Sequence, residues 1–176
     1  TAASTIVKRD GNGDLTTRTL HLTAALNLPA TSASTLGVIN QNGTRLLHAY
    51  GVGNFFAGES SGNFSMTGTS NTAVGKDSLS ANTTGASNTA FGRTTLNANT
   101  SGNGNSAFGG AALLSNTTGS ANCAFGSNAL LNNLDGIYNT ALGYQALQDN
   151  TSGGSNCALG LQSLLRNTTG NDNMGL

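Results

Sequence analysis

The chain has 176 residues, of which only 8% are charged, and its seven basic side chains balance seven acidic ones with no cationic cluster beyond Lys8-Arg9. That balance excludes a nucleic-acid partner, which requires several phosphate-neutralising cations on one face. No apolar run approaches the roughly 20 residues that span a bilayer, and no charged-then-apolar leader precedes Thr1. Membrane insertion is therefore not expected in this segment, and the chain is expected to be a processed form or a fragment.

Residues 1–53 carry no repeat and read as a β-rich lead-in. Ser4 to Arg9 and Thr16 to Leu22 are strand-like, with Asp10-Gly11-Asn12-Gly13-Asp14 as the turn between them. After Pro29, the single proline, a Ser/Thr-rich linker leads to Leu36-Gly37-Val38-Ile39 and then Arg45-Leu46-Leu47-His48. Asn42-Gly43 lies between those runs and is the dipeptide best suited to the positive φ angles of a tight hairpin. Two hairpins are expected in this lead-in.

From Asn71 to Asp172 one phrase, N-[TSC]-A-[VFL]-G-x-x-[AST]-L-x-x-N-[TL]-[TSD]-G-x-x, is written six times without a gap. The copies open at Asn71, Asn88, Asn105, Asn122, Asn139 and Asn156, each 17 residues after the last. A further copy opens at Asn173, and Asn54-Phe55-Phe56-Ala57-Gly58 is a degenerate copy in the same phase. A period this regular is the signature of a solenoid, each repeat forming one coil stacked on the next. The expected organisation is a lead-in over 1–53 and a β-solenoid shaft over 54–176.

Each position of the repeat has a physical reading. Position four (Val74, Phe91, Phe108, Phe125, Leu142, Leu159) and position nine (Leu79 to Leu164) supply large apolar side chains and are expected to form the core. Position three is Ala73, Ala90, Ala107, Ala124, Ala141 and Ala158. Because neighbouring strand residues point to opposite faces, this small column is expected on a second face, as the interface through which chains associate. Glycine at positions five and fifteen is expected to turn corners at φ above zero. The coil then reads as strand, corner, strand, loop.

Asn recurs at position one (Asn71, Asn88, Asn105, Asn122, Asn139, Asn156) and at position twelve (Asn82, Asn99, Asn116, Asn133, Asn150, Asn167). Amides stacked one coil apart can hydrogen-bond along the axis as a ladder. Cys123 and Cys157 share position two, two coils apart. At about 4.8 Å per coil their backbones are too distant for a disulfide, whose limit is roughly 7 Å. They are expected as small buried free thiols, with a bond between chains left open. The apolar core of a single coil is thin, so an oligomer is expected.

These residues carry a family resemblance. Ser87-Asn88-Thr89-Ala90-Phe91-Gly92 and its repeats resemble the N-S-V-A-I-G repeats of trimeric autotransporter adhesin heads, which form β-rolls packed as three parallel chains. The chain is closer still to the N-T-A-L-G-x-x-A-L…N-T-T-G arrays of bacterial and phage tail-fibre-like proteins. There, lead-ins such as Val7-Lys8-Arg9-Asp10-Gly11-Asn12-Gly13 and Gly43-Thr44-Arg45-Leu46-Leu47-His48 are familiar. The coil here is longer than in the adhesin heads and lacks one residue of their motif. The resemblance implies an all-β solenoid in a parallel homotrimer, serving as a shaft on a cell surface, virion or extracellular filament.

Chemistry is sparse. Asp10-Gly11-Asn12-Gly13-Asp14 opens like a calcium loop, but Leu15 stands where that loop needs Gly and His21 where it needs Glu. A plain turn is the better reading. His21 and His48 lack a nearby Cys or carboxylate, and Gly51-Val52-Gly53 lacks the helix of a phosphate loop. Glu59, Asp77, Asp135, Asp149 and Asp172 fall at different positions, so no acid/base pair arises between neighbouring coils. No enzyme, metal or cofactor is expected. The triplets at Asn82, Asn99, Asn116, Asn150 and Asn167 match glycan acceptors, although their spacing follows from the turn. A row of Thr83, Thr100, Thr117, Thr151 and Thr168 suggests an ice-binding face, which Leu134-Asp135 interrupts. The expected function is a stiff structural or adhesive shaft presenting polar loops to surface glycans. The alternatives are a self-assembling filament subunit, joined through an open sheet edge after Leu176, and a single-chain ice- or carbohydrate-binding solenoid.

Overall fold

A computed structural model of the chain describes residues 38–41 and 43–176. The strands and turn expected over residues 4–22, with His21, lie outside those residues. The lead-in hairpin is formed by β1 (Ile39–Gln41) and β2 (Thr44–His48), antiparallel, with Gly43 in the turn at φ 76°. β2 then pairs antiparallel with β3 (Phe55–Ala57), matching Leu47 to Ala57 and His48 to Phe56. The hairpin thus sits directly on the first coil.

From β3 onward every strand is parallel to the last and shifted by one repeat. These are β4 (Thr72–Val74), β5 (Thr89–Phe91), β6 (Ser106–Phe108), β7 (Cys123–Phe125), β8 (Thr140–Leu142), β9 (Cys157–Leu159) and β10 (Met174–Gly175). The register never slips: Thr72 faces Thr89, Ala73 faces Ala90, and Cys157 faces Met174. The result is an all-β solenoid of 17-residue coils whose strands form one sheet in sequence order.

The second strand expected in each coil does not form; after the glycine corner the chain runs through consecutive turns. The cause lies in the backbone. Position seven (Asp77, Thr94, Ala111, Asn128, Gln145, Gln162) has φ of 55–59°, and the position-nine leucines from Leu79 to Leu164 have φ of 49–53°. A left-handed residue costs roughly 1–2 kcal/mol. It persists here because its N–H is bonded to a neighbouring coil: Asp77 to the Glu59 carbonyl at 2.8 Å, Leu79 to the Thr95 carbonyl at 3.0 Å. Position five keeps its expected glycine role, with φ from 118° at Gly160 to 140° at Gly143.

The core is narrow. It holds the position-three alanines, the position-nine leucines from Leu79 to Leu147, and the small residues of position eight. Positions one and twelve are buried as well, from Asn71 to Asn156 and from Asn82 to Asn150, so the interior carries amides beside hydrocarbon.

Candidate functional surface

Inside the coil the two asparagine columns form one connected network. At position one, each Oδ1 accepts both the backbone N–H and the side-chain Nδ2–H of the next Asn. Asn88 reaches Asn71 at 3.0 and 3.1 Å, and Asn139 reaches Asn122 at 3.0 and 3.1 Å. At position twelve, Asn99 Nδ2 donates to Asn82 Oδ1 and Asn116 Nδ2 to Asn99 Oδ1, both at 2.8 Å. The second Nδ2 hydrogen of each ladder goes to one shared atom, the carbonyl of the position-fifteen glycine. Gly119 O, for example, accepts from Asn105 and from Asn116, both at 2.9 Å. That glycine therefore joins the ladders. Its φ is not in the left-handed region, contrary to expectation; a Cβ on Gly119 would lie 2.5 Å from the Gly136 carbonyl and 2.7 Å from Asn133 Nδ2. Close approach, not a corner, requires glycine there.

The same hydrogen bonding bears on two sequence readings, Asn167 being the one triplet asparagine that stays half-buried. Asn82, Asn99, Asn116 and Asn150 are fully buried and hydrogen-bonded, so they are not glycan acceptors. At position thirteen, Thr83, Thr100, Thr117 and Thr151 donate their hydroxyls to the next coil's carbonyl at 2.9–3.1 Å. Those protons are committed to the fold rather than to an ice lattice.

The two faces of the strand are the reverse of expectation. Ala73, Ala90, Ala107, Ala124, Ala141 and Ala158 are 0–1% exposed within the single chain, packed toward positions eight and nine. They leave no surface for a partner and are not an interface. Position three must be small because Leu from position nine already fills the narrow interior, and this column is where alternation points inward. Positions two and four point out instead. Phe91, Phe125, Leu142 and Leu159 are exposed, and Val74 and Phe108 half-buried. An apolar stripe therefore runs down the outside of the sheet, beside a row of Thr72, Thr89, Ser106, Cys123, Thr140 and Cys157. Both cysteines are free and half-buried on this outer face rather than interior. Burial pushes the Cys123 thiol up.

Within the stripe the phenylalanine rings stack along the axis. Phe91 and Phe108 lie 5.2 Å apart and 2° from parallel; Phe108 and Phe125 lie 4.5 Å apart and 7° from parallel. The faces of Phe108 are covered by its neighbours on both sides, so this column offers ring edges rather than a platform for a sugar ring. A shallow groove runs beside the sheet where Gly110 leaves position six empty, between Arg93 and Ser127. No known relative decides the role of these surfaces. No protein-family model, no curated protein and no solved structure matches the chain.

His48 is structural. It is buried, with Nε2 on the Ser61 carbonyl at 2.9 Å and Nδ1 accepting from the Tyr50 N–H at 3.4 Å. Its ring packs between Phe56 and Phe64, and the Arg45 guanidinium lies 4.6 Å over Phe64 while donating to the Ser61 and Gly62 carbonyls. Burial holds the His48 pKa below the usual imidazole value. Among the described residues no His, Cys, Asp and Glu cluster could hold a metal, and no helix is long and apolar enough to cross a membrane.

Proposed function

We propose that the chain is a stiff structural shaft on a cell surface, virion or extracellular filament, assembled as a parallel homotrimer and carrying loops that meet surface glycans. One observation carries this reading: both asparagine ladders and the sheet run from coil to coil in unbroken register, so the molecule is a rod bonded along its axis. Lateral association fits the outer stripe of Val74, Phe91, Phe108, Phe125, Leu142 and Leu159, in place of the alanines. The stripe is free of charge and repeats once per coil, so a parallel copy in register presents the same apolar edge at every level.

Light scattering on the purified chain tests the assembly. Three times 17.5 kDa supports the trimer, and Leu142→Lys then returns it to monomer without unfolding it. A wild-type monomer removes the trimer; species that keep growing point to the filament subunit instead.

A further inference from the structure

Coil 122–138 breaks the repeat in one loop. Positions thirteen to seventeen read Leu134-Asp135-Gly136-Ile137-Tyr138, whereas the other copies from Asn71 onward have Thr, then Thr or Ser, then Gly, then Ala, Asn, Ser or Gly, then Ser, Gly, Ala or Asp. Only Gly136 is kept, and its carbonyl still joins the ladders through Asn122 and Asn133.

The departures work against the fold. Leu134 lacks the hydroxyl with which Thr83, Thr100, Thr117 and Thr151 tie one coil to the next. Position seventeen takes φ of 56–65° in every copy from Asn71 onward, and at 59° Tyr138 is the one aromatic side chain placed there, 64% exposed. Leu134 and Ile137 are exposed as well. A loop that forgoes one tie between coils and leaves an aromatic ring largely in solvent points to a contact outside the chain.

We propose that Tyr138 and Asp135 form a subsite for a neutral saccharide, which rests on the proposed role as a glycan-facing shaft. Unlike the stacked phenylalanines, Tyr138 has only small residues at the same position of the neighbouring coils, Ala121 and Ser155, and at 64% exposure its ring has surface to offer the C–H face of a pyranose. The exposed Asp135 carboxylate, three residues upstream, accepts sugar hydroxyls and repels sialylated or sulfated chains. The patch is one loop on coils about 4.8 Å apart. That suits one or two sugar rings and falls far short of the roughly 800 Å² per partner of a stable protein interface.

The test is an array of neutral oligosaccharides ending in glucose, galactose, mannose or N-acetylhexosamine, beside sialylated and sulfated ones. It is probed with the wild-type chain, Tyr138→Ser and Asp135→Thr, each variant restoring a residue that other coils carry. Wild type is expected to bind a neutral member, Tyr138→Ser to bind it about tenfold more weakly, and the Tyr138→Ser melting temperature to hold or rise. Four results overturn the subsite: no neutral glycan bound by wild type, acidic glycans alone bound, binding undiminished in Tyr138→Ser, or a melting temperature lowered by that change. The native mass of the same samples judges the shaft separately.

Discussion

The Phe56 ring lies over Gly62, so that a Cβ on Gly62 would meet it at 2.6 Å. In every other complete coil the same two positions hold Ala and Leu, with the small residue on the strand and the large one on the turn. The first coil exchanges them and keeps the interior filled. Gly62 even shares the leucines' backbone, with φ 58°.

This exchange predicts strong coupling. Phe56→Ala should cost about 3–5 kcal/mol by emptying the core, and Gly62→Leu should destabilise by overpacking. The double variant rebuilds an ordinary coil and should recover at least about 1 kcal/mol relative to the sum of the two. Denaturant unfolding of the four proteins measures it; strict additivity would show that the positions do not share one space.

Glycine at position fifteen should be irreplaceable for a reason distinct from φ. Gly119→Ala drives a methyl into the Gly136 carbonyl and Asn133 Nδ2, and is expected to lower stability by about 2 kcal/mol or more. Gly104, at φ 65° with nothing near its missing Cβ, occupies a position where other coils carry Ser or Ala at a similar φ. Gly104→Ser should change stability by less than about 1 kcal/mol, and comparable losses in the two variants would show that close approach is not what selects glycine at position fifteen.

The hairpin over the first coil should loosen in acid. Neutral His48 uses both ring nitrogens, and protonation would remove the acceptor of the Tyr50 N–H and place a second cation beside Arg45. With the folded pKa held below the unfolded value of about 6.5, stability is full above that pH and falls as pH drops below it. Thermal unfolding at pH 8 and pH 5 should show this decline, and His48→Gln should flatten it. An equal decline in the variant would assign the effect to other groups.

Thiol labelling reports on the outer face. With Cys123 and Cys157 half-buried beside the apolar stripe, a maleimide should reach both in the Leu142→Lys chain and neither in an assembled trimer. Within the monomer, Cys123 should label more slowly at neutral pH than a free cysteine and gain rate as pH rises, because burial raises its pKa and lowers its thiolate fraction. Equal labelling of assembled and separated chains would move the interface elsewhere.

The period of the repeat made the solenoid and the coil length legible, because identical residues at identical spacing favour stacking, and Asn42-Gly43 marked the hairpin turn. Position nine was also legible as core, since Leu never varies there. Inside and outside of the strand were not. Ala and Phe are both apolar, and only the narrowness of the interior, already filled by Leu, decides that Ala goes in and Phe out. The left-handed leucines left no signal either, because their geometry is imposed by bonds to neighbouring coils rather than by local preference. The role of the Gly85 to Gly170 carbonyls depends on two asparagines meeting from opposite sides of a coil, which spacing alone does not reveal. Leu134-Asp135 was visible as a break in the threonine row, whereas Tyr138 falls at a variable position of the phrase and its exposure came from the structure.

Buried amides, as much as apolar packing, hold the rod together. Asn122→Ala tests this most directly, because that change strips the acceptor from the Asn139 N–H and Nδ2 and leaves both buried. Measured by equilibrium unfolding, it should cost about 3 kcal/mol or more, comparable to the roughly 2–5 kcal/mol expected of Leu130→Ala in the same coil. A loss below about 1 kcal/mol for Asn122→Ala, beside a full loss for Leu130→Ala, would mean that the ladder follows the fold rather than holding it.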